Sequence, residues 1–167
     1  MDRLNLLGFN SISLKDLDKV QLLNRKDTKF VFNQDSLLPF LDKLTPFYQV
    51  LEINGLRTFS YKNTYFDTDE FLFYIQHHNE SRKRFKVRHR KYCETNDQYF
   101  EIKVKDNKNR TIKKRLRINE MNGCLGAEER HLVSEIIGLS PEQLAPKLDI
   151  QFSRITLADN SFNERLT

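Results

Sequence analysis

The sequence predicts an α+β chain. Its antiparallel strands form a sheet curled so that one cationic face lines a groove or an incomplete tunnel, with helices packed outside. Three observations predict this. The segments 82–92, 98–105 and 110–118 are long strand candidates joined by Asn/Asp/Lys-rich turns, the pattern of an antiparallel meander. Side chains alternate across a strand, and all three segments put apolar residues on one face and cations on the other. Several helix-period segments elsewhere are free to cover the apolar face.

The elements follow in order. Ser13 caps a short helix, with Asp16 three residues on. Residues 25–32 (RKDTKFVF) read as a strand. Asn33 caps a helix carrying Leu37, Leu38, Leu41 and Leu44, with Pro39 inside the pattern. Residues 48–53 and 57–68 flank Asn54-Gly55, a dipeptide suited to the positive φ angles of a tight hairpin. Thr68 or Asp69 caps a helix through Phe71, Leu72 and Ile75. After the meander, residues 127–137 read as a helix ending at Gly138, and Ser140-Pro141-Glu142 opens another with Pro in its first turn. Residues 147–157 are extended, and 162–167 open one more strand.

Length and composition bound the function. The 167 residues suit one domain over 1–167, and 19 Phe and Tyr fill a core that 38% apolar residues would otherwise leave thin. No apolar run reaches the ~20 residues of a membrane helix, and no signal peptide is visible. Cys93 and Cys124 form neither a disulfide framework nor a metal-ligand spacing. The expectation is a cytoplasmic protein.

The net charge of +5 is unevenly placed. Residues 82–117 hold 15 Lys/Arg against four acids, a net of +11, and the other 131 residues hold 13 against 19, a net of −6. Concentrated charge of this kind points to an anion met at one place. The cationic face comprises Arg82, Arg84, Lys86, Arg88 and Arg90, then Lys103 and Lys105 beside Tyr99 and Glu101, then Lys113, Arg115 and Arg117. Like charges opposite one another destabilise a sheet, so a solvated face normally mixes signs. Arg forks fit phosphate oxygens and Lys adds mobile point charge, so repeated cations along strands suit an anion with repeated charges.

The residues also carry a family resemblance. Residues 25–30 (RKDTKF) resemble the first-strand motif of the VTC domain, the polyphosphate-polymerase domain of the triphosphate tunnel metalloenzymes. Residues 63–67 (NTYFD) are similar to its YFD strand, and 88–92 (RHRKY) to its R-x-R-x-Y strand. Residues 100–103 (FEIK) and 113–115 (KKR) resemble its E-x-K and K-x-R strands. Residues 152–154 (FSR) resemble its aromatic-x-Arg strand, and 165–167 (RLT) the start of its R-x-T-x-D strand.

The resemblance implies a tunnel that binds ATP, triphosphate or polyphosphate. It implies transfer of a terminal phosphoryl group of ATP to a growing chain, assisted by Mn²⁺ or Mg²⁺. Carried over by position, it makes Lys29, Arg88, Arg90, Lys103 and Arg154 catalytic. Together with Lys113 and Arg115 these bind phosphate, and Arg84, Lys86, Lys105 and Arg117 extend the same face. Glu101 is the one acid on that face and the candidate metal ligand. The family's chain continues past R-x-T-x-D, so the expectation is a domain lacking its last strands. Its open strand edge would invite a second copy.

Two alternatives stand beside this reading. One is a polyphosphate sensor without turnover. The other is a single-stranded nucleic-acid module, against which Phe85 and Phe100 fall on the face opposite the cations. His77, His78, His89 and Cys93 read as packing or surface residues, Tyr61, Tyr65 and Tyr99 as tunnel-lining or core rings, and Asp67 as structural.

Overall fold

A computed structural model describes residues 6–17, 27–106 and 111–167. In chain order the strands are β1 (Asn10–Ile12), β2 (Tyr48–Leu51), β3 (Phe59–Asp67), β4 (Arg84–Tyr92), β5 (Gln98–Lys105), β6 (Thr111–Ile118), β7 (Ala145–Arg154), β8 (Leu157–Asp159) and β9 (Arg165–Leu166). The helices are α1 (Leu14–Leu17), α2 (Leu37–Leu44), α3 (Leu72–His78) and α4 (Ala127–Ile137), with 3-10 turns at Gln34–Ser36 and Pro141–Gln143. The chain is α+β, as expected, and forms two compact units, Met1–Phe59 with Ser153–Thr167, and Ser60–Phe152.

In the first unit a four-stranded sheet runs β1-β2-β8-β9. Its β1–β2 pair is parallel and the others are antiparallel. Leu6, Phe9, Leu41, Val50 and Leu157 make one apolar cluster, and Ile12, Leu17, Leu51 and Ala158 a second. The Ser13 cap forms as read, with Asp16 N donating to Ser13 Oγ at 3.2 Å. Asn33 caps the 3-10 turn before α2, and Pro39 falls in the first turn of α2, where its missing N–H costs nothing.

Two expectations change here. Arg25 and Lys26 lie outside the described residues, and Asp27–Phe32 form no strand; the segment is exposed, with Val31 fully so. Among the described residues no strand pairs with it. Asn54 and Gly55 do take positive φ, 52° and 74°, but the hairpin stops at one bridge, Ile53 to Leu56. Both edges of β2 are already occupied, by β1 and β8, which leaves none for β3.

The second unit is a five-stranded sheet in the order β6-β5-β4-β3-β7. The β4-β5-β6 meander forms as read, every pair antiparallel. One face buries Phe66, Phe85, Val87, Phe100, Ile102 and Val104 with Phe73 of α3 and Val133 of α4. His89 is also buried on this face, between the rings of Phe66 and Phe100, and its Nε2 meets Glu129 Oε2 at 3.2 Å. The same Glu129 oxygen accepts the Gly126 N–H at 2.8 Å, so one carboxylate caps α4 and ties it to the sheet. Thr68 supplies only part of the α3 cap. The Asp67 carboxylate accepts the N–H groups of Thr68, Phe73 and Tyr74 at 2.8, 2.8 and 2.9 Å.

Among the described residues the sheet does not close on itself: β6 and β7 stand as edges. Pro146 sits on β7, where an edge tolerates the loss of a ladder N–H.

Candidate anion-binding face

The face of the five-stranded sheet away from α4 is built in rows. Strand register sets Arg84 opposite Lys105 and aligns Lys86, Lys103 and Lys113. The next row is Tyr65, Arg88, Glu101 and Arg115, and the next Asn63, Arg90, Tyr99 and Arg117. Rows repeat every two residues, about 7 Å apart, and neighbouring strands lie about 4.8 Å apart. Nine of the eleven predicted phosphate ligands thus share one surface. The other two, Lys29 and Arg154, belong to the first unit, Lys29 in its exposed segment and Arg154 at the end of β7. The side-chain alternation read from the sequence holds through all three strands.

Burial divides the nine. Arg88 and Arg90 are 7% and 9% exposed and Glu101 is fully buried, whereas Lys86, Lys113, Arg115 and Arg117 reach solvent. Arg88 donates to Glu101 Oε2 through Nε at 2.9 Å and Nη2 at 2.6 Å, and to the Tyr65 hydroxyl through Nη1 at 3.0 Å. The other Glu101 oxygen faces Lys113 Nζ at 2.9 Å and Arg115 Nε at 3.5 Å. Arg90 Nε donates to Asn63 Oδ1 at 2.8 Å. Arg117 pairs with Asp97 at the surface. Lys86 and Lys103 have no acidic partner among the described residues, and Arg84 Nε is buried without a hydrogen-bond acceptor there.

These surroundings move the titrations. Burial alone would raise the Glu101 carboxyl, but hydrogen bonds from Lys113 and Arg88 overcome it and hold the group at about 2. Burial, reinforced by the charges of Arg88, Lys113 and Arg90, pulls Lys103 down to about 8 despite the opposing pull of Glu101. Burial and Arg88 likewise lower Arg90.

Aromatic rings fix the arginines at one end. Phe152 stacks on Tyr61 with centroids 5.1 Å apart, Tyr61 meets Tyr92 edge-on at 5.1 Å, and Tyr92 meets Tyr99 edge-on at 5.8 Å. Arg90 lies over Tyr61 at 5.3 Å and Arg115 over Tyr99 at 3.4 Å. The sequence reading placed Tyr61, Tyr65 and Tyr99 near this face and missed Asn63 and Tyr92. Their signal was parity: Tyr92 shares the alternation of Arg88 and Arg90, and Asn63 that of Tyr61 and Tyr65.

Phe85 and Phe100 are buried in the core, 6% and 1% exposed, so neither can stack on a base. The donor set around Glu101 does not fit a divalent cation, because both carboxylate oxygens face Lys or Arg. Among the described residues no group of three or more His, Cys, Asp or Glu could hold a metal ion. No described helix is long and apolar enough to cross a membrane.

Comparison with known proteins agrees with the strand motifs. The family model for the VTC domain matches residues 24–167. No curated protein matches the chain. Among solved structures, a "putative adenylate cyclase" from Vibrio parahaemolyticus is 12% identical with a TM-score of 0.40, covering 76% of this chain and 57% of that one. A second "putative adenylate cyclase", from Bacillus halodurans, is 14% identical with a TM-score of 0.49, covering 79% of this chain and 70% of that one.

Proposed function

The chain belongs to the VTC domain family, and from that premise we propose that its cationic face binds a chain of phosphates, as polyphosphate, triphosphate or the phosphates of ATP. The observation that carries the reading is the row Lys86, Lys103 and Lys113, three cations directly opposite one another with one acid, Glu101, in the adjoining row. Such a row is self-repelling when empty. The depressed Lys103 and the unaccepted Arg84 Nε record the same shortage of negative charge. An anion lying across the rows supplies it.

Phosphoryl transfer asks little covalent chemistry of a protein and much positioning and charge neutralisation. In the reaction proposed, a chain-end phosphate oxygen attacks the terminal phosphorus of ATP, the bond to the bridging oxygen breaks, and ADP leaves. The cations of this face hold donor and acceptor phosphates side by side and offset the charge spread over the transferred group. Curvature of the sheet would make the face one wall of a tunnel. No step is assigned to a metal.

A second reading, a binder without turnover, is favoured by the engagement of Glu101, whose two oxygens both face Lys or Arg. Thermal melting with inorganic tripolyphosphate, with and without Mn²⁺ or Mg²⁺, tests binding by mass action. The parent should be stabilised and a Lys86→Gln/Lys103→Gln variant should not. If parent and variant respond alike, the row is solvated surface. Consumption of ATP with growth of the phosphate chain separates the enzyme from the binder.

A further inference from the structure

The centre of the cationic face already holds an anion of the protein's own. Glu101 sits in the middle of the third row, fully buried, with one oxygen clasped by the Arg88 fork and the other facing Lys113 at 2.9 Å and Arg115 at 3.5 Å. There a buried guanidinium and two strand-edge cations converge. The lysine row beside it is more exposed and offers point charges without a fork.

We infer that Glu101 is a specificity-determining residue: it sets the smallest number of linked phosphates that the face will hold. The inference rests on reading the face as a phosphate-chain site. An incoming phosphate meets a competitor that is covalently in place and loses no translational freedom by binding. It also brings its own charge beside a carboxylate. A lone phosphate reaches about one row at a time, since rows are about 7 Å apart. Taking Lys113 or Arg115, which stand in adjoining rows, from Glu101 then gains it little. Each further linked phosphate engages another cation as an intramolecular event, at the high effective concentration of a tethered group. Glu101 therefore subtracts a roughly constant amount from every ligand, and only a chain accumulates enough contacts to overcome it.

The test is calorimetric titration of the full chain with orthophosphate, pyrophosphate and tripolyphosphate at constant ionic strength. Parent and Glu101→Gln are compared, with circular dichroism as the check on folding. The parent should bind tripolyphosphate and ignore millimolar orthophosphate. Glu101→Gln should raise every affinity by about tenfold, the scale of one charge-assisted hydrogen bond, and bring orthophosphate into the measurable range. Glu101→Gln leaves Arg88 buried without its partner, so an Arg88→Met/Glu101→Met variant, with the pair replaced by apolar groups, is measured beside it. It too should bind orthophosphate, on Lys103 and Lys113 of one row. If the parent binds tripolyphosphate but neither variant gains orthophosphate, or if both lose tripolyphosphate, Glu101 sets no threshold and the phosphate-chain reading survives. If all three proteins are folded and none binds any phosphate, that reading falls and this inference with it.

Discussion

The Arg115 guanidinium lies 3.4 Å above the centroid of the Tyr99 ring. Arg115 is on edge strand β6, where nothing on its outer side holds it among the described residues. Tyr99 and the 3.5 Å contact with Glu101 set its position. The ring adds a hold on the charge that, unlike the Glu101 carboxylate, does not neutralise it.

Tyr99→Leu should therefore weaken tripolyphosphate binding, and Tyr99→Phe should not. The loss is about 0.5–2 kcal/mol, the range of cation–π contacts. Titration of both variants, with and without Arg115→Gln, checks this. The two substitutions should be non-additive, and additive losses would disconnect the ring from the cation.

Lys103 predicts a pH dependence. Its ammonium titrates near 8 in the folded chain and near 10.5 when unfolded. Between those values the unfolded chain binds more protons, so this group makes stability rise with pH from about 8 to about 10.5. A bound anion favours the ammonium, so binding at about pH 9 should take up a proton. Calorimetry in two buffers of different protonation enthalpy reads the uptake, and Lys103→Met should abolish it.

The two kinds of arginine pair should differ in cost. Arg88→Met strips the buried Glu101 carboxylate of its two shortest bonds and should destabilise by about 3–5 kcal/mol. Arg117→Met removes a surface pair with Asp97 and should cost about 1 kcal/mol or less. Urea denaturation compares them, and equal costs would mean that Glu101 is not a buried charge.

Asp67 should prove structural. Its carboxylate accepts three backbone N–H groups at the start of α3. Asp67→Ala should cost about 1–3 kcal/mol through those unmet donors. Tripolyphosphate affinity, measured well below the melting temperature, should be unchanged.

How much of this was legible beforehand depended on whether the signal was local. Alternation in 84–92, 98–105 and 111–118 fixed which residues share a face, because a strand's side chains have no other freedom. Rows needed register, which turn lengths leave open, so the Glu101 clasp and the Tyr61–Tyr92–Tyr99 ladder could not be written from spacing. Asn54-Gly55 was read correctly as a turn and wrongly as a hairpin. A dipeptide sets its own φ angles, but the neighbours of β2 come from opposite ends of the chain. The segment 27–32 has strand-forming residues, yet composition does not supply a pairing edge.

The interleaving of the two units has a kinetic consequence. In the first unit's sheet Val50 pairs with Leu157, 107 residues later. The second unit has at its centre the β4-β5-β6 hairpins, whose partners follow within a few tens of residues, with β7 added to β3 at its edge. Loop-closure entropy favours near pairings early and distant ones late. On a ribosome the inserted stretch 60–152 can assemble from its own hairpins while β2 waits for a strand not yet translated. Valines and leucines destined for the first sheet stay uncovered for that interval, which makes this sheet the place where slow synthesis or a missing chaperone shows first.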